Sequence, residues 1–170
     1  ACPACTVLGA QMKVDPELII PNKSLSILDG AITASGWNNI KSDGISRMYF
    51  DALAAKYRFK LTDPVETEAV EVLDIILSGP RGEKLTLHYD QPRGKGTLYQ
   101  PFEGIVNNLE RRYRETQSDS ARKELEECMS TAPCPKCHGN RLSEIALAVT
   151  VGDMSIYRVT DLSVDRAIEF

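Results

Sequence analysis

The 170-residue sequence has no uninterrupted apolar run approaching the ~18 residues that a membrane-spanning helix requires. It opens on cysteines, not on a basic stretch followed by an apolar one, so no secretory leader is expected. Aromatic residues are scarce at 6%, with Trp37 the single tryptophan, which disfavours a platform for stacked bases. There is no excess of positive charge: Lys and Arg number 20 against 24 Asp and Glu, for a net charge of −4. That balance excludes a uniformly basic protein that coats nucleic acid. Internal repeats and low-complexity segments are missing. So are the loops that announce nucleotide or nucleophile chemistry: no G-x-x-x-x-G-K-[ST], no G-x-G-x-x-G, no nucleophile elbow and no H-E-x-x-H. No catalytic residue can be nominated, and the chain by itself is expected not to be an enzyme.

What is present begins with the cysteines. Four of the five fall into two C-P-x-C pairs, Cys2-Pro3-Ala4-Cys5 and Cys134-Pro135-Lys136-Cys137. Two thiolates three positions apart on a tight turn can point at one ion, and two such pairs make a tetrahedral Zn(II) shell. The odd count argues against a disulfide framework, and no thioredoxin-like strand–helix context surrounds either pair to support redox work. The pairs stand 128 residues apart, far beyond the ~15–20 of an ordinary zinc ribbon. One shared site requires only that the intervening chain leave and return to the same place, as an inserted domain does. Cys2, Cys5, Cys134 and Cys137 are therefore expected to hold one structural zinc, in a cytosol that keeps thiols reduced. Cys128 reads as a small buried hydrophobe. His88 and His138 are not needed as ligands. The glycine-bearing loop after Cys137 suits a metal knuckle, whereas Thr6 and Val7 after Cys5 suit it less well.

Patterning predicts an α+β fold of helices packed on small antiparallel sheets, an inserted domain closed at its base by the four-cysteine module. Residues 1–14 and 132–170 are assigned to that module and its surroundings, residues 15–131 to the insertion. Within them, strand is expected over Thr6–Val14 and a short helix after the Asp15 cap and Pro16. A helical piece is expected over Ser24–Leu28 and a loop over Thr33–Lys41. Next come a helix capped by Ser42-Asp43 and running to Tyr57, and one from Asp63-Pro64 to Ser78. Lys84–Tyr89 alternates as a half-buried strand, with a turn over Gln91–Gly96 and a partner at Thr97–Tyr99. Helices follow over Phe102–Thr116 and from Ser118 to Met129. A final hairpin is expected from Ile145–Val151 and Ser155–Val159 around Gly152-Asp153, and then a helix from Ser163.

Charge is uneven along the chain. Arg81 to Arg114 holds seven cations and four anions, a local net of +3, whereas Glu144 to Phe170 holds two cations and five anions, a net of −3. Arg93 and Lys95 on a glycine-flexed hairpin tip, with the triplet Arg111, Arg112 and Arg114, could track a phosphate backbone. The local pattern fits a solvated helix face with pairs such as Glu110–Arg114 and Arg111–Glu115 at least as well.

The run Phe102-Glu103-Gly104-Ile105-Val106-Asn107-Asn108-Leu109-Glu110-Arg111-Arg112-Tyr113-Arg114-Glu115-Thr116 closely resembles a stretch of the UvrA family of bacterial excision-repair proteins. Pro133-Cys134-Pro135-Lys136-Cys137-His138-Gly139-Asn140-Arg141-Leu142 resembles it too. In the same order, so do Ala1–Cys5, Asp15–Ile19 and Ser24–Ile32, while Asn38 to Gly79 diverges. The resemblance implies a piece of a tandem ABC-type ATPase: the DNA-binding insertion of its first half, with a zinc module and part of a signature domain. ATP and Mg would belong to parts of the parent that this sequence does not contain. The implied partners are damaged duplex DNA and, through the full-length protein, UvrB and a second UvrA copy; no membrane is implied, and the location is the bacterial cytoplasm. The resemblance tips the basic segment towards DNA, with Arg93, Lys95, Arg111, Arg112 and Arg114 as phosphate contacts in a module that guides or clamps duplex DNA by its backbone. The alternative it leaves is a protein–protein module serving dimer or UvrB contacts without touching DNA.

Overall fold

A computed structural model describes residues 1–40, 44–91 and 94–170, with the side chains of Asp90 and Gln91 also outside the description. The anticipated Ser42-Asp43 cap and the hairpin-tip residue Arg93 therefore lie outside the described residues. The fold is α+β: helices with small two-stranded sheets, in two compact units. One comprises residues 1–13 and 131–170, the other residues 14–130.

The larger unit owns the apolar core, a cluster of 23 buried residues among those described that includes Ile19, Ile32, Phe50, Leu53, Ile76, Leu87, Ile105 and Leu109. Helix α1 (Pro16–Ile19) starts as its sequence dictates: Asp15 accepts from the Glu17 N–H at 3.0 Å, and Pro16 supplies a preset φ at the first position. Ser24–Leu28 does not form the expected helical piece. Asn22 accepts from both the backbone and the hydroxyl of Ser24, and the chain then pairs with a distant segment through an antiparallel bridge between Ser26 and Pro64. That pairing also divides the helix anticipated from Asp63. Val65 donates to the Leu25 carbonyl, a 3-10 turn covers only Val65–Thr67, and Glu68 and Ala69 are extended before the next helix can begin.

Helix α2 (Ile45–Tyr57) buries Ser46, Phe50 and Leu53 and ends at Arg58 in the left-handed region. Helix α3 (Val70–Ser78) stops at Gly79, φ +86°. A Cβ at Gly79 would sit 2.7 Å from the Glu103 carbonyl carbon, and one at Gly104 would overlap the backbone of Ser78 and Gly79. Two glycines thus let the end of α3 and the start of helix α4 (Ile105–Glu115) cross backbone against backbone. Between them strands β1 (Lys84–Gln91) and β2 (Gly94–Pro101) form an antiparallel ribbon with Lys84 opposite Pro101 and Gln91 opposite Gly94. The ladder runs further towards the tip than the expected six-residue turn allowed. Helix α5 (Asp119–Glu126) is capped by the Ser118 hydroxyl, which accepts from Ala121. It ends three residues earlier than expected because the Cys128 carbonyl accepts from the Asp15 N–H.

The smaller unit contains most of the ribbon formed by Ala10–Val14 and Met129–Pro133. The strand expected from residue 6 begins only at Ala10, because Thr6, Val7 and Gly9 all adopt positive φ. Near the chain end Ser143 caps a short helix, α6 (Glu144–Leu147), where a strand was expected. The anticipated turn at Gly152-Asp153 is present, with φ of +54° and +64° as a type I′ hairpin requires, but the strands it joins are two residues each. Helices α7 (Ile156–Thr160) and α8 (Val164–Glu169) follow. Among the described residues no helix is long and apolar enough to cross a membrane.

Candidate metal centre and nucleic-acid interface

The smaller unit brings the four paired cysteines together. The Sγ atoms of Cys2, Cys5, Cys134 and Cys137 all lie within 4.8 Å of one another, and all four residues are buried. Cys5 Sγ and Cys137 Sγ are 3.7 Å apart, too far for the ~2.05 Å bond of a disulfide. Four thiolates bound tetrahedrally at Zn–S distances of about 2.3 Å would stand about 3.8 Å apart, a separation that the 3.7 Å between Cys5 and Cys137 matches. The donor set could hold a metal ion, and a four-thiolate shell leaves no coordination position open.

The two knuckles repeat one backbone design at an offset of 132 residues. After Cys5, φ is positive at Thr6, Val7 and Gly9; after Cys137 it is positive at His138, Gly139 and Arg141. Leu8 donates to the Cys5 carbonyl at 2.9 Å and Asn140 to that of Cys137 at 2.8 Å. The exchange is reciprocal: Cys2 N–H donates to the Arg141 carbonyl at 2.8 Å, and Cys134 N–H to that of Gly9 at 2.9 Å. Thr6-Val7 therefore follows the same path as His138-Gly139 despite lacking a glycine. The Gly9 N–H also reaches Cys5 Sγ at 3.3 Å. Burial pushes the Cys5 thiol up to about 11, whereas the Cys137 N–H, aided by that of Lys136, holds Cys134 down to about 7. Cys128 stands apart in the apolar core of the larger unit.

The arginine triplet of α4 divides by task. Arg111 grips Glu103 through Nη2 at 2.7 Å and Nε at 3.2 Å and also reaches Glu115 at 2.9 Å. The Arg111 guanidinium holds the Glu103 carboxyl below the usual carboxylate range, with the Asn108 amide assisting against partial burial. Asn108 in turn accepts from the Trp37 indole at 3.2 Å, and Asn107 donates to the Ser78 and Glu103 carbonyls. Arg112 donates to the Ser35 carbonyl at 2.7 Å. Trp37 packs edge-on against Phe50 and Phe102, with centroids at 6.0 and 5.6 Å. A cleft of about 510 Å³ opens beside this network, bordered by Tyr49, Gln100, Glu103 and Arg112. Arg114 is exposed and forms no ion pair with a described residue. Much of the run from Phe102 to Arg112 thus has internal work, which its composition did not disclose. Glu103 and Asn108, the hub of that network, were not singled out by sequence; a carboxylate eight residues before Arg111 is beyond helical-neighbour spacing.

Lys95 lies on the exposed ribbon, one element before the helix that carries Arg114. Sequence reasoning counted Lys84 in the basic segment and weighed His88 only as a metal ligand, and named neither these nor Tyr99 as DNA contacts; the strand alternation of the ribbon places all three on its solvent-facing side.

Architecture and site define an α+β chain with a four-cysteine metal cage in one unit and a basic ribbon with an arginine-bearing helix in the other. A family described as the UvrA DNA-binding domain matches residues 15–127, and the chain belongs to that family. It is 39% identical over 169 residues to UvrABC system protein A of Clostridium perfringens and 38% identical over 167 residues to that of Brucella abortus. Those alignments cover 99% and 98% of this chain but only 18% and 17% of the relatives, so the chain spans less than a fifth of their length. The crystal structure of UvrA2 from Deinococcus radiodurans shares the fold, with a TM-score of 0.67, 23% identity, and coverage of 99% of this chain and 21% of that one.

Proposed function

We propose that this chain is a DNA-binding module of a UvrA-type protein acting in nucleotide excision repair. Residues 15–131 would form the inserted domain that guides or clamps duplex DNA by its backbone, and residues 1–14 with 132–170 the zinc module and part of a signature domain. The observation that carries this reading is the family match over residues 15–127, the same stretch that holds the ribbon and α4. Phosphate contacts are assigned to Arg93, Lys95 and Arg114, and to the guanidinium edges of Arg111 and Arg112 that remain accessible alongside their internal bonds. Cys2, Cys5, Cys134 and Cys137 would hold one zinc, which supplies a cross-link between the knuckles and no reactive position. ATP turnover, UvrB and a second UvrA copy would be matters for the full-length protein.

A salt titration of duplex affinity tests the assignment. Replacing both Arg93 and Lys95 by Ala should lower affinity for all sequences alike and reduce the slope of log K against log salt by about 1.8, about 0.9 per lost phosphate contact. An undetectable affinity of the chain for duplex at low salt would refute direct DNA binding and leave the protein–protein reading in its place.

A further inference from the structure

The ribbon has two unlike faces. Leu85 and Leu87 point inward and are 1% and 0% exposed, bolting β1 to the core. At the tip Tyr89, on the same side, lies across Gly96, where any Cβ would overlap its ring. The opposite side carries Lys84, Thr86 and His88 from β1 and Lys95, Thr97 and Tyr99 from β2, all exposed. Tyr99 is 69% exposed, with Pro101 two positions further along the same face.

We infer that this outward face is the surface laid against duplex DNA, and that Tyr99 stacks on a base freed where the duplex is distorted. The inference rests on the DNA-binding reading above and deepens it. Eight residues per strand, at ~3.3 Å each, give a ribbon about 26 Å long, enough to follow about eight base pairs at ~3.4 Å. Two-stranded ribbons are of a size to enter a DNA groove. The Lys84 ammonium forms no ion pair with a described residue and is available to phosphate. The Thr86 and Thr97 hydroxyls and the His88 ring, which Thr97 meets at 3.3 Å, offer short polar contacts to sugar and phosphate. Thr86 is the register partner of Tyr99, so the ring stands among these groups with a face open to solvent. Every intact base pair hides its faces in the stack; a base at a bubble or lesion does not, and an aromatic ring gains from it without reading its identity.

The test measures binding of this chain to a fully paired duplex and to the same duplex with a three-base unpaired bubble. The unaltered chain should favour the bubble, and Tyr99→Leu should abolish that preference, a loss of roughly tenfold for the bubble alone, with the salt slope unchanged. Tyr99→Phe should keep it. Lys84→Ala should weaken both duplexes equally and lower the slope by about 0.9. No preference in the unaltered chain, a preference that survives Tyr99→Leu, or a loss with Tyr99→Phe as large as with Leu would each overturn the inference while leaving DNA binding intact. Failure to bind either duplex would overturn the DNA-binding reading together with it.

Discussion

The two units of this chain solve the same problem with different means. Among the described residues, 14–130 bury 23 in one apolar cluster that includes the packed rings of Trp37, Phe50 and Phe102. Residues 1–13 and 131–170 bury no aliphatic or aromatic side chain larger than cysteine; their one buried cluster is Cys2, Cys5, Cys134 and Cys137. Ile145, Val151, Val164 and Ile168 of that unit stand exposed. A piece this small cannot offset its conformational entropy with apolar burial, and a metal ion held by the four cysteines would supply what the core lacks. The comparison teaches where dependence on metal should begin and end along the sequence.

The largest effect that could break the comparison is loss of the cage. Cys134→Ser should abolish stoichiometric zinc, read by elemental analysis as a fall from about one ion per chain. Structural zinc contributes about 10–16 kcal/mol in small metal-dependent domains, far more than the smaller unit can replace. Full metal retention by Cys134→Ser would mean that the four sulfurs do not form one site. The reverse experiment acts on the other unit. Phe50→Ala should cost about 3–5 kcal/mol, seen as a lower denaturation midpoint, while zinc content stays unchanged.

A smaller effect sharpens the role of the α4 network. Glu103 has its native carboxyl depressed by Arg111, so its contribution to stability is fully present above the unfolded carboxyl value of about 4.3 and is lost as pH falls through the lower native value. Glu103→Gln should therefore destabilise the larger unit at neutral pH by about 1 kcal/mol, modest because both partners are partly exposed, and the difference should vanish in acid. A difference that persists unchanged at low pH would show that charge is not its source. The smallest effect concerns Val7, a β-branched residue at φ +71° where the matching position, 139, has glycine. Val7→Gly should relieve on the order of 1 kcal/mol and slow zinc loss to a chelator. Faster loss would show that the side chain supports the knuckle.

The two units were unequally legible in the sequence. The sulfur cage was visible in two C-P-x-C pairs, because ligand chemistry imposes a spacing that tertiary context does not alter. The caps at Asp15 and Ser118 and the ribbon alternation at Lys84–Tyr89 were visible for the same local reason. Ser24–Leu28 misled because its pairing partner lies about 40 residues on, beyond any local window. Ile145–Val151 misled because a short apolar run fits a strand or a helix, and Ser143 decided it. The arginines of α4 were legible as charge but not as geometry: Arg111 is held by Glu103, eight residues away, and Arg112 by the Ser35 carbonyl, 77 residues away, where Gly36 leaves room for its guanidinium.

Whether the smaller unit alone depends on metal is read by segment-resolved hydrogen exchange before and after zinc chelation. Amides in residues 1–13 and 131–170 should lose protection on chelation while the core helices, Phe50 and Leu109 among them, keep theirs. Equal loss of protection in both units, or protection in the smaller unit that survives removal of the metal, would contradict that dependence.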